Sequence, residues 1–201
     1  MSTTETSDIK EVVKQKYGEA ALRVKSGGSS CCGATASTGC CDPITTNLYD
    51  LAQALELAGK TDDASKAFAE FEQKSLLESN RGDNSNHELI FYYADHAKQP
   101  EKALEVAKRE IARRHDVFTL DSYAWALYGS GQYPEARKQI ETALAVGIRD
   151  AKIFRHAGEI ALKSGDSVAA ERYLKESAAL NTVGSNQARI TLASLAQEVR
   201  R

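Results

Sequence analysis

The sequence predicts an all-α repeat protein, and three observations lead there. The first is internal likeness at a single offset. Aligning Gly131 with Gly165 also lays Ala136 on Ala170, Leu120 on Phe154, Tyr123 on Ala157, Ala124 on Gly158, Leu127 on Ala161 and Ile140 on Leu174, always 34 residues apart. The second is the recurring order of small and large apolar residues, which makes two helix-length patterns around a Gly-x-x-x-x-Ala turn. The third is the scarcity of proline, three in 201 residues, since proline interrupts the helical hydrogen-bond ladder.

A 34-residue helix–turn–helix period is characteristic of tetratricopeptide repeats, and the stretch Val117–Thr182 resembles that family (TPR). The resemblance implies a TPR-like helix–turn–helix solenoid over 47–201, with about four repeats and a C-terminal capping helix, that binds other proteins. The first unit carries Leu48, Leu51, Ala52, Leu55, Gly59, Ala64, Phe68 and Phe71. Thr61 reads as the N-cap of its second helix, with Asp62 and Asp63 in the first turn, and that helix runs to Glu78. Gly82 and Asn84 then mark a polar turn, and the Arg-Gly-Asp at 81–83 is a chance match within it.

The second unit spans about 87–115. Ser85 with Glu88 spells a capping box, and Ile90, Tyr93, Ala94 and Ala97 fall at the expected places. Its turn, Lys98-Gln99-Pro100, reads as about three residues short. Asp116, Asp150 and Asp166 each precede an apolar-periodic run and read as N-caps. Gly184 to Arg200 carries a stripe of Ile190, Ala193, Leu195, Ala196 and Val199, suited to closing the last repeat. Ala52, Ala94, Ala124 and Gly158 are the small residues expected to let paired helices approach closely. Nine helices and no strand are expected over 47–199.

The N-terminal quarter differs in composition. Residues 1–25 read as an amphipathic helix, capped by Ser7, with Ile9, Val12, Val13, Tyr17, Ala20 and Val24 on one stripe. Residues 26–46 are rich in Gly, Ser, Thr and Cys and read as a flexible segment, because such a composition cannot offset its ordering entropy. All four cysteines lie there, as Cys31-Cys32 and Cys40-Cys41. The spacing is not the Cys-x2-Cys of common zinc sites. Two readings stand: a reduced thiol tail with no ligand, or two pairs brought together around a soft ion.

"YGEAALRV" (17–24), "GGSSCCG" (27–33) and "GCCDPITTNLYD" (39–50) resemble the N-terminal leader of bacterial arsenite S-adenosylmethionine methyltransferases. The resemblance implies affinity of Cys31, Cys32, Cys40 and Cys41 for arsenite or a similar thiophilic species. It does not imply methyl transfer, since no G-x-G-x-x-G-like loop and no further cysteine follow Asp50.

The remaining observations narrow the function class. A net charge of −2 gives no global field for nucleic acid or an anionic membrane. No apolar run reaches the roughly 20 residues that cross a bilayer. The polar start, with Glu5 and Asp8, is unlike a leader peptide, so a cytoplasmic location is expected. His87, His96, His115 and His156 show no metal-ligand spacing and are expected at helix surfaces or ends; no catalytic motif stands out. Arg109, Arg113 and Arg114 form too small a basic cluster to bind nucleic acid. A binding protein without catalysis or cofactor is expected.

The resemblance places partner recognition on the first helix of each unit. In the third unit Phe118, Asp121, Trp125 and Tyr128 share one helix face. Their counterparts are Lys152, Arg155 and Glu159 in the fourth unit, and Phe91 and Asp95 in the second. Trp, Tyr and Arg dominate interface energetics, so this face suits a peptide or protein partner. The competing reading packs Trp125 and Phe118 under a neighbouring helix. Two functions therefore remain: a protein-binding scaffold acting through this groove, or an arsenite- or metal-binding protein acting through the cysteines.

Overall fold

A computed structural model describes residues 43–81, 85–180 and 185–198. The amphipathic stretch of 1–25, the four cysteines and the turn formers Gly82 and Asn84 lie outside them. Every element among the described residues is helical, and there are nine α-helices. They fall into two compact units, divided between Asn84 and Ser85.

The first unit holds one helical pair, α1 (Pro43–Leu57) and α2 (Thr61–Glu78). Helix α1 begins four residues before Asn47, inside the segment expected to be irregular, because Pro43 sits at its first position, where a missing N–H costs nothing. The buried residues on α1 are Tyr49 and Ala52, while Leu48, Leu51 and Leu55 are half-buried. Tyr49 packs against Phe71 with ring centroids 5.1 Å apart and against Phe68 at 6.2 Å. Thr61 is the first helical residue rather than the cap; Lys60 holds the cap position, and no side chain caps the helix.

The second unit contains three helical pairs and a terminal helix: α3 (His87–Phe91) continuing into a π-turn (Tyr92–His96), α4 (Pro100–Ile111), α5 (Val117–Gly129), α6 (Tyr133–Leu144), α7 (Ala151–Lys163), α8 (Ser167–Ala179) and α9 (Ser185–Glu198). Three expected caps form. Asp116 accepts from the N–H groups of Phe118 and Thr119, Asp150 from those of Lys152 and Ile153, and Asp166 from that of Ala169. The capping box at Ser85 does not form. Ser85 Oγ pairs with His87 Nδ1 instead, and Asn86, at the cap position, donates to buried Glu110 at 2.7 Å.

One turn geometry closes all four pairs. Gly59, Gly131 and Gly165 stand two residues before the second helix with φ of 73°, 75° and 79°, and Lys98 stands there with φ of 53°. The loop before Pro100 therefore has the usual length; what is short is the first helix, which starts at His87. The π-turn inserts a residue as well. Leu127 and Ala161 lie four residues before their glycines, and their carbonyls accept the closing bond at 2.9 Å. Tyr93, which accepts the corresponding bond at 2.8 Å, lies five before Lys98. Ile90 and Tyr93 are consequently buried, whereas Ala94 is only half-buried and is not one of the close-approach positions.

The core of this unit joins Leu120, Ala124 and Leu127 of α5 to Ala136, Ile140 and Ala143 of α6 and to Ile153, Ala157 and Ile160 of α7. At Gly158 a Cβ would lie 2.6 Å from Leu174 Cγ, so the approach of α7 to α8 requires glycine. Helix α9 packs on α7 and α8 through Ala188, with Thr191, Leu192 and Leu195 half-buried. Ile190 is 59% exposed and Ala193 is also exposed, so the packing stripe is displaced from the expected one.

Candidate functional site

Helix α5 packs against α3, α4, α6 and α7 and is buried on almost every side. Its Leu120–Ala124–Leu127 stripe faces the apolar core. A quarter-turn away, Asp121, Trp125 and Tyr128 meet side chains from α3, the π-turn and α7. This is the face on which the family resemblance led partner recognition to be expected.

Trp125 sits at its centre and is only 5% exposed. Its indole Nε1 donates to Asp95 Oδ1 at 2.8 Å. Tyr128 stacks on the indole at 4.6 Å between centroids and the His156 ring at 4.1 Å, and the Arg155 guanidinium lies 4.9 Å from the ring. The competing expectation of a packed residue thus describes Trp125, which offers no open face to a partner. The side chains covering it are Tyr128 of the same helix and polar and charged ones of the neighbouring pairs rather than an apolar helix.

His156 is completely buried, contrary to the expected surface position, and its tautomer follows from its neighbours. The Arg155 guanidinium can only donate, so His156 Nε2 accepts from Arg155 Nη2 at 2.8 Å. Nδ1 therefore carries the proton and donates to Asp121 Oδ1 at 2.7 Å. Burial holds His156 below the ordinary imidazole range; the Asp121 carboxylate opposes this and the Arg155 charge reinforces it. The pair is a neutral imidazole bonded to a carboxylate, not an ion pair. Arg155 also bonds Glu159 at 3.3 Å, so its guanidinium bridges His156 and Glu159. Burial, helped by the Glu159 charge, pushes the Tyr128 phenol up to about 12, so it stays protonated.

The rest of the face is open. A pocket of about 200 Å³ is lined by His87, Glu88, Phe91, Phe118, Asp121, Asp150, Lys152 and Ile153. Phe118 is 49% exposed at its edge. The Lys152 ammonium lies 4.4 Å from the centroid of the buried Phe91 ring. His87 Nε2 and Glu88 Oε1 are 3.0 Å apart. Burial of Glu88 works against its charge, but the hydrogen bond from His87 and the His87 charge outweigh this and hold the carboxyl below its usual range.

The nine residues Phe91, Asp95, Phe118, Asp121, Trp125, Tyr128, Lys152, Arg155 and Glu159 therefore fall on one face and divide into two parts. Asp95, Asp121, Trp125, Tyr128, Arg155 and Glu159 form a closed network around His156. Phe118 and Lys152 are exposed, and Phe91 forms the wall beneath Lys152. Sequence reasoning missed His156, His87, Glu88, Asp150 and Ile153. For His156 a signal existed: it lies 35 residues from Asp121, one beyond a repeat period, which brings the two to the same height on adjacent pairs. Among the described residues no group of three or more His, Cys, Asp or Glu side chains is arranged to hold a metal, and no helix is long and apolar enough to cross a membrane. Cys31, Cys32, Cys40 and Cys41 lie outside those residues.

Comparison with known protein families finds no match for this sequence. Among solved structures the chain is similar to PilW, described as a widely conserved type IV pilus biogenesis factor, with 12% identity, 98% of this chain and 94% of that chain covered, and a TM-score of 0.52. It is also similar to MamA (41 to the end) from Desulfovibrio magneticus RS-1, 18% identical, covering 68% of this chain and 75% of that one, with a TM-score of 0.41. The likeness to PilW shows the fold, an all-helical tetratricopeptide-like arrangement.

Proposed function

We propose that this chain is a protein–protein interaction scaffold that takes a peptide or protein segment on the face shared by α3, α5 and α7. The observation that carries the reading is the contrast within that face. Most of its side chains are bonded to one another around His156, while a pocket edged by the exposed Phe118 and Lys152 stays open. A rigid wall beside an open aromatic edge suits recognition, because little side-chain freedom is lost when a partner docks. The test is affinity capture with the full chain, followed by affinity measurement on the captured partner. Phe118→Ala should weaken binding by about 2 kcal/mol, and Lys152→Glu should shift it measurably, as expected of residues at an interface centre. Unchanged affinity in both would remove the face from consideration.

A second reading rests on the two cysteine pairs and their likeness to the arsenite methyltransferase leader. In it Cys31, Cys32, Cys40 and Cys41 hold arsenite or a soft metal ion. Replacing all four by serine should abolish arsenite binding and leave the unfolding temperature of the helical part unchanged. Binding that survives the replacement would end that reading.

A further inference from the structure

The cations of the groove are already placed on its rings. Lys152 lies over Phe91 and Arg155 over Trp125; elsewhere in the second unit Lys102 lies over Tyr93, Arg149 over Phe154 and Arg172 over Tyr173. Among the described residues, no cation of the chain lies over Phe118, the most exposed ring of the groove. Its nearest ring neighbour is His87, tilted, at 6.4 Å between centroids.

The charge of the pocket has the sign that a cation needs. Glu88, Asp121 and Asp150 line it against the Lys152 ammonium and the His87 ring, which bonds Glu88. Asp121 bonds a neutral imidazole, so its charge is not cancelled. Asp150 spends one oxygen, Oδ1, on the two N–H groups it caps. Arg155 cannot add positive charge at the pocket without leaving Glu159 and His156. The size is also informative: about 200 Å³ takes one long side chain and is below the range of ordinary small-molecule sites.

We propose that this pocket receives an arginine or lysine side chain from a basic partner segment, its cation over Phe118 and facing Glu88 and Asp150, its methylene stem against Ile153. The inference rests on the groove reading above and names the chemistry of its partner. A guanidinium or ammonium gains from the ring face and from the carboxylates together. An acidic segment would meet three carboxylates against one ammonium and the His87 ring.

The test uses the full chain, 15N-labelled, titrated with three octapeptides: octa-arginine, octa-glutamate and an uncharged Leu-Ser repeat. The expected result is saturable shifts of the Glu88, Phe118, Asp150 and Lys152 amides with octa-arginine alone. Phe118→Ala and Asp150→Asn should each raise its Kd about threefold to tenfold. Phe118 is half-exposed and asparagine still caps a helix, so both variants keep the fold, which a thermal melt verifies. Asp62→Asn with Asp63→Asn, in the other unit, should leave the Kd unchanged. Octa-arginine binding that is insensitive to both groove variants, or that maps elsewhere, is diffuse attraction and overturns the proposal. Saturation of the same amides by octa-glutamate or the Leu-Ser repeat overturns the basic partner and keeps the groove. Silence of those amides with all three peptides overturns both.

Discussion

Helix α5 buries two faces for two different reasons, and the contrast separates what holds this protein together from what it presents. On one face Leu120, Ala124 and Leu127 pack into an apolar core shared with α6 and α7. On the other Asp121 and Trp125 are equally hidden, yet their partners are a histidine, an arginine and an aspartate from neighbouring pairs. Apolar packing is non-directional and tolerates repetition, so it recurs at every repeat. A polar network works only if each donor finds its acceptor, so this one does not recur with the repeat. Burial alone therefore does not mark the α5 seam as structural and the groove as functional. Among the described residues of this face, the Phe118–Lys152 end is the open part.

The largest expected effect tests whether the polar face is structural. Trp125→Ala should cost about 3–5 kcal/mol of stability, as for other buried aromatic truncations, because it removes the surface that His156, Tyr128 and Arg155 cover. Urea unfolding followed by far-ultraviolet circular dichroism measures it. A loss below ~1 kcal/mol would mean that the network adds little to the fold.

The next effect tests the apolar face. Gly158→Ala places a methyl within 2.6–2.8 Å of Leu174, which is fully buried and cannot move aside. Overpacking of this kind costs ~1–3 kcal/mol, against ~1 kcal/mol regained from helix propensity. A net loss is expected on the same unfolding curve; a net gain would show that α7 and α8 can separate at no cost.

The polar face should also be sensitive to acid, and the apolar face should not. His156 is held neutral when folded, below its ordinary value of 6.5. The unfolded chain then binds the extra proton as pH falls, so this contribution is complete above about pH 6.5 and is lost progressively below it. The slope from one such group reaches at most about 1.4 kcal/mol per pH unit. His156→Gln, which cannot titrate, should lower stability at neutral pH and flatten the decline between pH 6.5 and 5. An unchanged decline would assign the acid sensitivity to other groups.

A smaller effect sharpens the comparison between pairs. The first, third and fourth pairs turn on glycine, and the second turns on Lys98 at φ 53°. A side chain in the left-handed region costs roughly 1–2 kcal/mol, so Lys98→Gly should stabilise the chain by up to about that amount. Destabilisation would indicate that the Lys98 side chain contributes more than its backbone costs.

These differences explain which features the sequence made legible. The 34-residue offset identified the third and fourth pairs because glycine turns and small-large order are set by local geometry, and both are periodic. The three aspartate caps were legible for the same reason. The second pair was misread because an inserted π-turn residue shifts every position before Lys98 by one, and nothing local announces it. The terminal stripe was misplaced because which side of α9 is covered depends on α7 and α8. The sequence pattern showed that the nine residues share one face, but not their division into locked and open parts. That division depends on His156, whose partners lie 35 residues away and at the adjacent Arg155.

The smallest expected change in stability is also the most informative. Phe118→Ala and Trp125→Ala, made on the full chain, should be compared for unfolding free energy and for affinity to a captured partner on the same preparations. Phe118→Ala should leave stability within ~0.5 kcal/mol, as at other exposed positions, and weaken partner binding by about 2 kcal/mol. Trp125→Ala should show the large loss of stability instead. If Phe118→Ala binds its partner as tightly as the unaltered chain, the open end of the groove is not the working surface.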